Sequence, residues 1–271
     1  MTIFRLLLCG LLLCLAVSLS FGKQKKQMSS TTKSPLQKVP AQKAPQSLTE
    51  SRQLVLVVTP DWNAVDGRLW RYERGSAKEG WQQRGGGLPV VVGKKGLAWG
   101  RSLHEKQTNG PLKKEGDGKS PAGIFRLSSA FGYVATNDAG AIKLPYTHLT
   151  GTIECVDDVK SEHYNTILDR RNITAPDWNS SEQMRLQKDY YRWGVVVDHN
   201  AAPIAKGVGS CIFLHIWNHA GAGTAGCTAM EGEKMEELMR WLDPVAKPLL
   251  VQLTEAEYKR LCAKWQLPER K

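Results

Sequence analysis

From Gln53 onward the chain is a succession of short apolar runs cut by turn residues. QLVLVVTPDW, GRLWRYERG and LPVVVGKKGLAWG are each rich in Val, Leu and Trp, and Gly, Pro, Asn or Asp separate them. Runs of this length with such punctuation read as strands, and their close succession favours a mainly antiparallel sheet over βαβ units. WGVVVDHN (Trp193 to Asn200), SCIFLHIW (Ser210 to Trp217) and KPLLVQLT continue the series. Met235, Leu238, Met239 and Leu242 fall at i, i+3, i+4 and i+7, marking an amphipathic helix that Pro244 ends. WNSSEQMRLQKDYYRW predicts a second, short helix, with Asn179 as cap and Glu182 three residues on. The expected fold class is mainly β with flanking helices, in one continuous domain over residues 53–268.

The start of the chain has a different character. MTIFRLLLCGLLLCLAVSLSFG has one positive charge, Arg5, an apolar run shorter than a spanning helix needs, and small residues at its exit. Residues 1–22 therefore read as a secretory signal, and the protein as exported, to the periplasm or cell envelope. Residues 23–52 are rich in Lys, Gln, Ser and Pro, too poor in apolar surface to fold, and read as a disordered basic linker.

The formal charge of +11 is concentrated at that end. Met1 to Arg52 holds 8 basic and 1 acidic residues, whereas the remainder holds 29 basic and 25 acidic. A nucleic-acid partner would call for the basic residues on the folded part, so none is expected. The linker could instead hold the domain near anionic lipid or wall polymer.

The chemistry concentrates in GSCIFLHIWNHAGAGTAGCTAM, Gly209 to Met230. His215 sits near the end of a strand that can hold its ring, and Cys227 follows a glycine-rich loop whose amides could face a substrate carbonyl. Thr228 with Glu231 has capping-box spacing, which would set Cys227 just before a helix and lower its pKa, leaving a thiol that alkylates readily. The residues alone also fit a structural pair, because buried cysteine is common. Once the signal is removed, Cys155, Cys211, Cys227 and Cys262 allow three disulfide pairings, and a Cys211–Cys227 bridge is the sharpest rival to a free nucleophile.

Two motifs together carry a resemblance. FLHIW, a glycine-containing loop and then Thr224, Ala225, Gly226 and Cys227 resemble the active-site signature of the YkuD-type L,D-transpeptidases, and GDGKSPAGIFRL resembles the strand that precedes it in that family. The resemblance implies a YkuD-like β-sandwich or barrel and an exported enzyme of cell wall biogenesis. Cys227 would be the nucleophile on the L-D bond of tetrapeptide peptidoglycan stems, His215 the general base, and Gly226 and Thr224 the oxyanion and substrate-positioning residues. A second stem's amine would resolve the acyl-enzyme into a cross-link. Water in its place would make the chain an L,D-carboxypeptidase, and a non-catalytic wall-binding domain is a further alternative. The sequence departs from the family at Ala225, where histidine is common, at Thr228, Ala229 and Met230, where arginine or asparagine is common, and in the short interval from His215 to Cys227. His219 is an alternative base, but a strand positions a ring better than a loop tip.

Other features are weaker. The GKS of Gly118 to Ser120 lacks the glycine a phosphate loop needs at Lys113. Glu154 to Arg170 reads as a solvated acidic loop, in which Asp157 and Asp158 could take the ammonium of a stem residue. Trp217, on the same face of its strand as His215, could line a substrate groove. No metal and no cofactor is expected.

Overall fold

A computed structural model describes residues 45–270. The expected signal and the first part of the linker lie outside these residues. The linker's last part does not behave as expected: Gln46–Glu50 forms a short helix (α1) whose Leu48 is buried. Arg74 donates to the Leu48 and Ser51 carbonyls, and the Arg52 amide to Ala246, so residues 46–52 are tied to the folded domain.

Thirteen strands follow among the described residues: β1 (Gln53–Thr59), β2 (Asp66–Glu73), β3 (Gln82–Val91), β4 (Leu97–Trp99), β5 (Ser120–Gly132), β6 (Tyr146–His148), β7 (Ile153–Val156), β8 (Ile167–Asp169), β9 (Ser181–Gln183), β10 (Trp193–Val197), β11 (Phe213–Ile216), β12 (Thr228–Met230) and β13 (Leu249–Thr254). The large sheet runs β10-β11-β12-β3-β2-β1-β13-β5, and β5 pairs back onto β10 to close a barrel. Closure removes the sheet edges, as a β protein of this kind requires. The expected antiparallel order holds for most neighbours, but β1 runs parallel to β13, β11 to β12, and β5 to both β4 and β6. An excursion of chain between its members makes each parallel pair possible.

The main core fills the barrel. β1 is buried along its whole length because its outer face is covered by helix α3 (Glu255–Trp265), through Tyr258, Leu261 and Trp265. Helix α2 (Gly232–Trp241) buries Met235, Leu238 and Met239 against β10 and β11, on the apolar stripe read from the sequence. A second cluster lies on the outer side of the barrel wall and contains Phe131, Ile153, Cys155, Met184, Tyr191, Cys211, Phe213 and Cys227. A three-stranded sheet, β8-β7-β9, supplies its lid.

That small sheet replaces two sequence expectations. No helix starts at Asn179: its amide donates to Asp158 Oδ2, and Ser181–Gln183 pairs with β7. The segment lacks a helical apolar stripe, whereas an extended chain buries Met184 under the barrel wall. Nor is Glu154 to Arg170 a solvated loop, since it forms β7 and β8, and Glu154 is buried with Ser181 and Gln183 donating to its carboxylate.

Candidate active site

The parallel pair β11 and β12 sets the geometry. Leu214 lies beside Thr228, and His215 beside Ala229. Leu214 and Thr228 point into the barrel, where Thr228 Oγ1 donates to Gln252 Oε1 at 2.7 Å. Alternation then sends His215, and Cys227 at the foot of β12, to the opposite face. They are offset by two positions along the strands, about 6–7 Å, and by one strand spacing, about 4.8 Å, across them. Both line one cavity of about 490 Å³.

Cys227 follows into a strand, not a helix, so no helix dipole reaches it. Its sulfur accepts from the Phe213 amide at 3.3 Å and its S–H points to the Cys211 carbonyl at 3.5 Å. Burial first, and the charge of Glu182 second, push the thiol well above its ordinary range, overriding the Phe213 amide and Lys113. The expected lowering of the thiol by a helix terminus does not arise: Cys227 leads into a strand, and its desolvated site favours the neutral form. The expected rival bridge is also overturned, because Cys211 pairs with Cys155 and Cys227 is free. Cys211 adopts a left-handed backbone, φ 54°, with its amide held by Asn165 Oδ1 at 2.9 Å.

His215 is buried, and burial pushes its imidazole down to about 4. Its Nδ1 lies 2.8 Å from the Ile216 carbonyl, which can only accept, so Nδ1 carries the proton and Nε2 is the free base. Tyr191 packs edge-on against the ring, with centroids 5.2 Å apart. His219 is exposed and is not among the residues that line the cavity.

The other expected residues divide. Trp217, Asp157, Thr224 and Gly226 reach the cavity, and Asp158 does not. Asp158 is occupied by the amides of Asn179 and Lys160. Thr224 Oγ1 donates to the Cys227 carbonyl at 2.6 Å and accepts from the Gly226 amide at 3.1 Å. That amide is thus engaged within the loop, and the Thr224 hydroxyl ties the loop to Cys227 where both line the cavity.

Three contributors were not legible beforehand as site residues. Ser120, from the GDGKSPAG segment, is fully buried, donates to the Cys227 carbonyl at 2.7 Å and accepts from the Gly93 amide at 2.8 Å. Gly93 must be glycine here because a Cβ would stand 2.5 Å from the Gly118 carbonyl oxygen and 2.7 Å from the Ser120 nitrogen. The turn itself is held by a buried ion pair, Lys113 Nζ to Asp117 Oδ1 at 2.6 Å. Its signal was the motif, whose residues build the floor under Cys227. Glu182 and Tyr191, bonded through the tyrosine hydroxyl, complete the wall. Ser120→Ala leaves the Gly93 amide without its acceptor and removes one of two donors to the Cys227 carbonyl. The expected loss is about 1–3 kcal/mol of unfolding free energy, read from urea titration.

Three histidines sit neutral in the fold. His104 Nδ1 accepts from the Ile124 amide, His199 Nδ1 from the Arg101 amide, and burial lowers both, like His215, from 6.5 to about 4. The unfolded chain takes up these protons below about pH 6.5 and the native chain only near 4, so stability is full above that window and falls as pH drops through it. Asp198 and Glu182, raised by burial, work against the trend. Calorimetric scans should show Tm falling between pH 6.5 and 4; a constant Tm would contradict the burial of these rings as neutral species.

A closed barrel carries a free cysteine and a buried histidine on one face, over a buried motif turn. Residues 61–251 match the YkuD family, the L,D-transpeptidase catalytic domain, and the chain belongs to that family. No curated protein and no solved structure matches it.

Proposed function

We propose that this protein is an exported peptidoglycan L,D-transpeptidase in which Cys227 is the nucleophile and His215 the general base. The observation that carries the reading is the shared cavity of the two side chains, with His215 Nδ1 tied to Ile216 and Nε2 left to accept a proton.

Rotation of the thiol away from the Cys211 carbonyl delivers its proton to His215 Nε2 as sulfur attacks the carbonyl between an L-centre and a D-centre of a tetrapeptide stem. The carbonyl oxygen gains charge beside the loop amides around Cys227. The C–N bond breaks, D-alanine leaves with the proton from His215, and a thioester remains on Cys227. The side-chain amine of a second stem, losing a proton to His215, attacks the thioester; the C–S bond breaks and the thiol is restored. Trp217 offers an apolar wall for the stem. The Cys155–Cys211 bridge suits an oxidising compartment, in keeping with export.

Purified protein incubated with tetrapeptide stems should release D-alanine and give a cross-linked dimer by mass spectrometry. D-alanine release without cross-link would make it an L,D-carboxypeptidase, and no product with any stem would refute the enzymatic reading.

A further inference from the structure

Glu115, Asp157 and Glu182 face the catalytic cavity against a single ammonium, Lys113, in a chain whose formal charge is +11. Lys113 does not serve these carboxylates, because its Nζ is bound to Asp117 and to the Lys114 carbonyl. Glu115 is engaged by the hydroxyls of Tyr164 and Ser210, and Asp157 by that of Ser180.

Glu182 differs from the other two in its position. It lies on β9 directly opposite Cys155, whose disulfide partner Cys211 gives its carbonyl to the Cys227 thiol. Its other link is to Tyr191, which donates to Oε1 and packs against the His215 ring. Tyr191 alone therefore stands between this carboxylate and His215, and the Cys155–Cys211 bridge between it and Cys227, while all three side chains line one cavity. A negative charge in that place opposes the thiolate that acyl transfer requires. Burial and, less strongly, the charge of Asp157 hold the Glu182 carboxyl above its usual range against the Tyr191 hydroxyl, and Lys113, the one ammonium lining the cavity among the described residues, is committed to Asp117.

We propose that Glu182 is a specificity-determining residue that pairs with the side-chain ammonium of a diamino acid in the donor stem, and that this pairing removes the charge opposing the Cys227 thiolate. The cation is brought by the substrate, so the nucleophile becomes reactive when the correct stem is bound. The proposal rests on the stem-peptide reading above and adds to it the group that selects the stem.

The test compares a donor tetrapeptide carrying the free side-chain amine with the same peptide acetylated on that amine, and reads acyl-enzyme formation on the disulfide-intact protein by intact mass. Wild type should acylate with the free amine about tenfold faster or more, and Glu182→Gln should reduce that preference to near unity. In the absence of any stem, Glu182→Gln should also speed alkylation of Cys227 by iodoacetamide at fixed pH about tenfold, because the charge that opposes the thiolate is gone. The variant thus gains in the free enzyme and loses with the amine-bearing stem, a crossing that a merely damaged fold does not produce. The wild-type comparison needs no variant to fold, and Asp157→Asn, which should lower the preference less, gives a second variant. Equal acylation of the two peptides by wild type, a preference retained in Glu182→Gln, or unchanged alkylation would each overturn the proposal. Failure of every stem to acylate would instead sink the stem-peptide reading, and the alkylation arm would still decide whether Glu182 opposes the thiolate.

Discussion

Cys227→Ala is expected to abolish acyl-enzyme formation outright, and His215→Ala to slow it by about 10²–10⁴, the range for loss of a positioned general base. Both side chains lie in the second cluster or beside it, outside the barrel interior, so far-UV circular dichroism should be unchanged in either variant. The pH profile separates a base from a mere packing residue. His215 must be neutral to take the thiol proton, and burial holds it near 4, so the acid limb of kcat/KM should fall near that value and not near 6.5. In the resting state a raised thiol faces a lowered imidazole, and both are neutral over a wide range around neutral pH. Proton transfer therefore belongs to the reaction and not to the resting enzyme. An acid limb near 6.5, or His215→Ala with full activity, would remove His215 from the role and return attention to His219.

Much of this arrangement can be read in the sequence where a local pattern decides it. The Val- and Leu-rich runs are the barrel strands, and the stripe Met235, Leu238, Met239 is the buried face of α2. His215 could be preferred to His219 because a strand holds it, and the cavity contains the first and not the second. What escapes is decided by partners far along the chain. Nothing local says that Leu54 will lie beside Leu249, or that Trp193 to Val197 will find β5 and close the barrel. Glu182 is the instructive miss. Its spacing from Asn179 matches a capping box, but pairing with β7 and burial of Met184 outweigh that local preference, and the residue turns from a helix cap into part of the cavity wall. The same long-range pairing settles what four cysteines leave open, because β7 carries Cys155 to Cys211 and leaves Cys227 free.

The Cys155–Cys211 bridge is where the second large effect is expected. It encloses 56 residues of sequence separation, and loop closure of that size stabilises a domain by about 4 kcal/mol in the chain-entropy account. For a domain of this length the corresponding loss of Tm is about 8–16 °C. Its location makes the consequence more than thermal. Cys155 is the centre of the strand that holds β9 and Glu182, and Cys211 supplies the carbonyl that receives the Cys227 thiol. Opening the bridge releases the cavity wall and the backbone beside Cys227 at the same point. The variant that tests this is Cys155→Ala with Cys211→Ala. A single replacement leaves one more free thiol, and if that thiol is Cys211 it stands next to Cys227, where oxidation would join the two and remove the proposed nucleophile by a route unrelated to wall stability. In the double variant Tm should fall by the amount stated, and acylation should fall even at temperatures where circular dichroism reports a folded barrel, because the barrel has its own core and the lid does not. A double variant with Tm within a degree or two of wild type and undiminished acylation would show that hydrogen bonds alone, such as that from the Cys211 amide to Asn165, hold the wall in place.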